Sequence, residues 1–349
     1  NGFFLSGKKR NKQIKLKYEV FGNGNEKLVL VMGILSNPST WKHQIKYLLK
    51  NYPQYQIASF YYRGIDGSEF YPTTGIRDYS MDMEDFLDYL KWDKAHIVST
   101  SFGSQVSYDF ALYAPHRVNS LLLSSMKPPY KNFIAECSIM MDSIYKKDLK
   151  TFEKLFFSND FLNSKDENNK SMKLKIKNAL TKQLKERSKI SKEVIKDQFK
   201  SSFNFIVTDE DKLILNQRDF PISLVYGTND ALFPFKDTLN LLNIIKPECF
   251  SIINGCGHGV PNERLKDFNS EMINTLKLKR SHENSEIKFY KNIFANNPKK
   301  DMENFNFKLN NQSLSNQVVL NSYINSFVAP SFNSVHNSKY SLGLNFLKN

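Results

Sequence analysis

Cysteine is scarce in this chain of 349 residues: Cys137, Cys249 and Cys256 are an odd number at no metal-like spacing. That excludes a disulfide framework as the source of stability. Cys256, two residues before His258, reads as a structural thiol in a tight loop. The remaining histidines, His43, His96, His116, His282 and His336, show no paired ligand spacing, so nothing in the sequence asks for a metal. Also missing is any run approaching the roughly 18 consecutive apolar residues of a membrane span. The opening Asn1 to Ser6 is too short for a signal peptide, and there is no initiator methionine. The expectation is a cytoplasmic protein.

Acidic residues are in deficit, 35 against 49 Lys and Arg, which leaves a net charge of +14. Half of that excess lies between Met141 and Lys200, where 16 basic residues face nine acidic ones. Lysines spaced along amphipathic helices describe a solvated face first, and an approach to an anionic membrane surface second. Nucleic acid ranks low as a partner, because no nucleic-acid-binding module accompanies the charge. From about Ser281 the composition turns to Asn and Ser, 25 of the last 69 residues. Residues 281–349 read as a polar tail on which a few aromatics could dock.

What is present is a regular alternation of strands and helices. Ile14, Leu16, Tyr18 and Val20 alternate with charged residues as in a half-exposed strand, and Gly22-Asn23-Gly24-Asn25 suggests a hairpin opening the fold. Further strands are expected at Lys27 to Leu35, Gln56 to Tyr61, His96 to Ser99, Val118 to Ser124, Ile222 to Tyr226 and Cys249 to Ile253. One intervening helix puts Met83, Phe86, Leu87 and Leu90 on a face, with Asp82, Glu84 and Asp85 near its positive end. Another, from Asn262 to Leu276, closes the core. Such alternation implies an α/β fold with a mostly parallel sheet and functional loops at the strand carboxyl ends. Between Met126 and Asp219 only helices are expected, with stripes at Phe152, Leu155 and Phe156 and at Ile176, Leu180 and Leu184.

The chemistry concentrates at Val98-Ser99-Thr100-Ser101-Phe102-Gly103, where an apolar strand runs into a helix through small residues. A serine on such a sharp turn exposes its hydroxyl, and bulky residues two positions either side would collide. Two later strand ends carry matching groups. Asp230 follows Pro221 to Tyr226 in Gly227-Thr228-Asn229-Asp230, and His258 follows Cys249 to Ile253 in a glycine-dense loop. Serine, aspartate, histidine is the chain order of triads in α/β-hydrolases, and it differs from the orders of other serine hydrolases. Ser101 needs a base, His258 can serve, and Asp230 can fix its tautomer.

With Gly33 and Trp41 upstream, these pieces resemble the α/β-hydrolase family over roughly residues 13 to 278. Met32 stands where that family has histidine, Ser99 where it has the first elbow glycine, and Arg63-Gly64-Ile65-Asp66-Gly67-Ser68 matches its second loop loosely. The resemblance implies a catalytic domain over 13–280 with a helical cap inserted at about 127–219. It also implies an oxyanion hole made by the backbone N–H groups of Ile34 and Phe102. The activity it implies is hydrolysis of a carboxylic ester with an apolar acyl or alcohol group, through an acyl-enzyme and without a cofactor. A lipid-directed hydrolase for monoacylglycerol or lysophospholipid and an acyltransferase remain alternatives, and so does a noncatalytic binding or scaffold protein.

Overall fold

The computed structural model describes residues 1–280 apart from 9, 11, 128–133, 167, 188, 235–237, 239, 240 and 243. The expected tail, and the side chains of Cys137 and Leu184, lie outside the described residues. Eight strands form one sheet: β1 (Gly2–Ser6), β2 (Ile14–Phe21), β3 (Glu26–Val31), β4 (Tyr55–Phe60), β5 (Ala95–Thr100), β6 (Val118–Ser124), β7 (Ile222–Gly227) and β8 (Cys249–Ile253). Their order is β1-β2-β4-β3-β5-β6-β7-β8. The first two pairings are antiparallel, and every one from β4 to β8 is parallel. The α/β-hydrolase fold expected from the sequence is therefore present.

The inner strands are short apolar runs because a parallel sheet is covered on both faces. All six residues of β5 and of β7 are buried. The covering helices are α1 (Lys42–Asn51), α2 (Ile76–Leu90), α3 (Phe102–Tyr113) and, at the chain's return, α10 (Val260–Glu263) and α11 (Leu265–Lys277). Between β6 and β7 lie α4 (Ile134–Lys146), α5 (Leu149–Phe156), α6 (Asn159–Asn163), α7 (Met172–Arg187), α8 (Lys192–Asn204) and α9 (Asp211–Asn216). Leu180 of α7 is buried while Lys173, Lys177, Lys182 and Lys185 face water, so much of the positive charge is a solvated face.

Three expectations are corrected. The turn at Gly22 to Asn25 does not make a hairpin, because β4 inserts between β2 and β3. The hairpin partner of β2 is instead the upstream strand β1, so the sheet begins before residue 13. Polar Ser6 ends β1 and is buried, since its hydroxyl binds Asp82 and Asp85. Those two carboxylates do not serve the positive end of a helix dipole either, for α2 starts at Ile76 and they lie in its middle. Asp82 instead takes a bidentate pair from buried Arg63, at 2.7 and 2.9 Å, and Asp85 accepts the Gly7 N–H at 2.7 Å. Glu84 accepts from the Tyr113 hydroxyl at 2.8 Å. Carboxylates buried in mid-helix are tolerable because each is matched by donors from other elements.

Candidate active site

The strand end at Thr100 and the helix start at Phe102 leave one residue to reverse the chain, and Ser101 does so at φ 56°, ψ −122°. A non-glycine residue in that region stores about 1–3 kcal/mol of strain, held only because the surroundings fix it. Gly103 shows how tight they are. A Cβ there would lie 2.5 Å from the carbonyl oxygens of both Val31 and Met32, so α3 packs against the end of β3 backbone to backbone. Ser99 is accommodated in the elbow because its hydroxyl donates to Leu122 O at 2.8 Å. The Ser101 N–H donates to Ser124 O at 2.8 Å.

From this elbow a hydrogen-bond chain runs across three strand ends. Ser101 Oγ lies 2.9 Å from His258 Nε2, and His258 Nδ1 lies 2.8 Å from Asp230 Oδ2. The other carboxylate oxygen, Oδ1, accepts the N–H groups of Leu232 and Phe233 at 2.9 and 2.8 Å, which fixes its plane. With the carboxylate on Nδ1, that nitrogen carries the proton and Nε2 is left as the acceptor facing the serine. The structure thus brings together all three residues singled out from sequence, after β5, β7 and β8. Asp230 and His258 are buried, while Ser101 is partly open to solvent.

The two backbone N–H groups expected to form an oxyanion hole, those of Phe102 and Ile34, are also local. Phe102 is the first residue of α3, so its N–H has no acceptor within the helix. Gly33 passes so close to the serine that a Cβ on it would sit 3.5 Å from Ser101 Cβ, and Ile34 follows. Met32, at the family's histidine position, is buried with its carbonyl held by Tyr62 Oη at 2.7 Å. It withdraws no reacting group. Trp41 packs at 5.8 Å on Phe268 of α11 and is wholly buried. Arg63 and Ser68 of the second loop are structural: Arg63 pairs with Asp82, and Ser68 Oγ accepts the Lys17 N–H.

The helical stripe at Phe152, Leu155 and Phe156 does reach the Ser101, His258 and Asp230 cluster, whereas Phe233 gave no sequence signal. Phe156, at the end of α5, and Phe233 set their rings edge-on to the His258 imidazole, 5.4 and 5.2 Å between centroids, and keep water from it. The insertion is fastened to the histidine loop by Gly259 N–H to Phe156 O at 2.7 Å. A second fastening is Glu263, which accepts from Ser158 N and Gly257 N at 3.0 and 3.1 Å. Burial raises the Glu263 carboxyl above its ordinary range. Burial likewise pushes the Cys256 thiol well up, the state of an inert structural cysteine. His96, the second residue of β5 and five positions before Ser101, binds Ser120 Oγ at 2.7 Å. Among the described residues no group of three His, Cys, Asp or Glu is arranged to hold a metal, and no helix is long and apolar enough to cross a membrane.

A family model described as alpha/beta hydrolase fold matches residues 27–264. The Karrikin insensitive 2 receptor IA of Petunia hybrida is 23% identical over 158 residues, 41% of this chain and 57% of that protein, so the match spans little more than half of the relative. Among solved structures, the bromoperoxidase from Bacillus anthracis superposes with a TM-score of 0.64 at 19% identity, covering 79% of this chain and 100% of that one. A thermophilic esterase from Thermogutta terrifontis does so at 0.61 with 16% identity, covering 79% and 98%. At these identities the superpositions speak for the fold.

Proposed function

The chain belongs to the α/β-hydrolase fold family, and on that premise we propose that it is a serine hydrolase cleaving a carboxylic ester with an apolar acyl or alcohol group through an acyl-enzyme. The observation that carries this reading is the unbroken chain from Asp230 through His258 to Ser101, with 2.8 and 2.9 Å links. His258 Nε2 takes the hydroxyl proton as Ser101 Oγ attacks the carbonyl carbon, and the oxyanion receives the N–H groups of Phe102 and Ile34. Collapse of the tetrahedral intermediate expels the alcohol, which leaves with the proton from His258. Water then repeats the steps on the acyl-enzyme and frees the acid. Helices α4 to α9 act as the cap, and the apolar substrate class rests on Phe156 of α5, edge-on to His258 and stacked at 4.4 Å on buried Phe152, with Phe233 on the same imidazole.

A fluorophosphonate tests the proposal directly. It should label one serine in the native protein, and Ser101→Ala should abolish both labelling and turnover of short and medium-chain esters. No labelling and no turnover across a broad ester panel would sink the enzymatic reading. The match to a petunia receptor favours the alternative in that event, a noncatalytic ligand-binding protein. Calorimetric binding of an apolar ester without turnover would then be the outcome.

A further inference from the structure

The loop that follows β3 is held from above. Leu35, next to Ile34, has φ 52°, a region that L side chains rarely enter, and its side chain is buried. Two residues of the insertion grip its two peptide groups. Gln198 of α8 accepts the Leu35 N–H on Oε1 at 2.8 Å. Arg187, the last residue of α7, donates Nε to Leu35 O at 3.2 Å and Nη2 to Ser36 Oγ at 2.9 Å. Ser36 Oγ in turn donates to Ile34 O at 3.2 Å. Both peptide planes beyond Ile34 are thereby fixed by side chains from outside the loop.

The expense of this arrangement argues that it does more than fill space. Arg187 is 7% exposed, and no ion pair to a carboxylate is found for it among the described residues. Its guanidinium lies 5.0 Å from the Phe152 ring, and burial draws it down to about 10. Arg187 Nη1 and Gln198 Nε2 are buried without a hydrogen-bond partner in the described structure. Burying a guanidinium and an amide is costly, and the hydrogen bonds that offset the cost are those they make to the loop after β3. Anchoring of α8 does not require them. Asp197 already binds Thr73 N, Thr73 Oγ1 and Tyr79 Oη at 2.8, 2.9 and 2.8 Å, Ser202 binds Gln105 at 3.0 Å, and Lys127 Nζ reaches Ser202 O at 2.9 Å.

We propose that Arg187 and Gln198 are positioning residues that clamp Leu35 in its left-handed conformation and so aim the Ile34 N–H at the developing oxyanion. The proposal rests on the serine-hydrolase reading. A clamped loop keeps the donor in place through the reaction, whereas a freed Leu35 would relax toward ordinary negative φ and swing the neighbouring peptide away. Because the hole matters most when charge develops, the defect belongs in kcat rather than in substrate binding.

The test uses the full chain and a chromogenic ester, with kcat and KM measured separately. Gln198→Leu and Arg187→Met should each lower kcat by about 10- to 100-fold, with KM within about threefold, the range expected for a misplaced rather than deleted donor. Gln198→Glu keeps an acceptor for the Leu35 N–H and should restore most of the rate. Thr73→Val cuts a side-chain anchor of α8 away from the loop, and should lower the melting temperature with kcat unchanged. If Gln198→Leu fails to fold, the Arg187→Lys variant, which keeps the charge and one donor, decides through an intermediate kcat. Full kcat in folded Gln198→Leu and Arg187→Met, an Arg187→Lys rate equal to wild type, a Gln198→Glu rate no better than Gln198→Leu, or a loss confined to KM would each overturn the clamp. An inactive wild-type protein would instead overturn the hydrolase reading beneath it.

Discussion

Adding one methyl group at Gly103 should damage the site without touching a reacting atom. A Cβ there meets Val31 O and Met32 O at 2.5 Å and Val31 C at 2.8 Å, all backbone atoms at the end of β3. Reaching even the 3.4 Å edge of ordinary contact takes about 0.9 Å of movement, and no flexible side chain lies there to yield. The start of α3 must therefore move away from the end of β3. Phe102 rides on the first, Ile34 follows the second, and a hydrogen bond near 3 Å becomes one near 4 Å when its donor retreats that far. Gly103→Ala should lower kcat by about 10²- to 10³-fold, the usual loss of one oxyanion donor. It should also cost about 1–3 kcal/mol from overpacking, seen as a melting temperature several degrees lower. Ester kinetics and calorimetry on the same preparation read both effects. A variant with wild-type melting and wild-type kcat would show that the two elements separate freely and that the oxyanion geometry does not depend on their contact.

Other perturbations follow from the buried charges. Asp82→Asn strips the charge from a side chain that is fully buried and bonded to Ser6, Arg10 and Arg63, and takes from buried Arg63 the carboxylate it pairs with. Urea unfolding should show a loss of about 3–5 kcal/mol, and a loss below about 1 kcal/mol would mean that water reaches the pair. Burial raises the Glu271 carboxyl above its usual 4.5, although Ser251 Oγ donates to it at 2.6 Å. A raised folded-state value means the folded protein keeps the proton longer, so this contribution is full below about 4.5 and is lost as pH rises through the folded value. Glu271→Gln should lack that slope, and parallel urea midpoints for the two proteins from about pH 4 to about pH 8 would refute the assignment.

The hydrogen-bonded group of Ser101, His258 and Asp230 was legible because each of its members is announced by the same local pattern, a short apolar strand ending in small residues. Ser101, Asp230 and His258 lie after β5, β7 and β8, and in a parallel sheet those ends share one edge. Strand order was not legible. Asn-rich turns between β2 and β3 look like a hairpin, but the choice of β4 as the neighbour of β2 is made by pairings between distant residues, such as Tyr18 with Phe60, that no local window contains. The same limit hid the network around Asp82, whose carboxylate reads locally as a helix-dipole partner and is in fact neutralised by arginines 19 and 72 positions away.

Residues that act on the site from outside its loops were the hardest to see, and the reason is physical. Gln198 and Arg187 stand 163 and 152 residues from the loop they hold, on helices whose lysine-rich pattern advertises only solubility. An amide accepting one backbone N–H leaves no periodicity, spacing or composition to detect. Its signature exists only in three dimensions, as a left-handed Leu35 with both flanking peptides occupied and two buried donors left over. The hydrogen-bonded Ser101, His258 and Asp230 at strand ends are thus readable along the chain, whereas the support proposed for the Ile34 N–H is a property of how the insertion folds back onto β3. Substitutions in α7 and α8 that look like surface changes by sequence should accordingly divide by whether they reach Leu35, with those at exposed Lys177 or Lys182 leaving kcat unaltered and those at Arg187 or Gln198 lowering it.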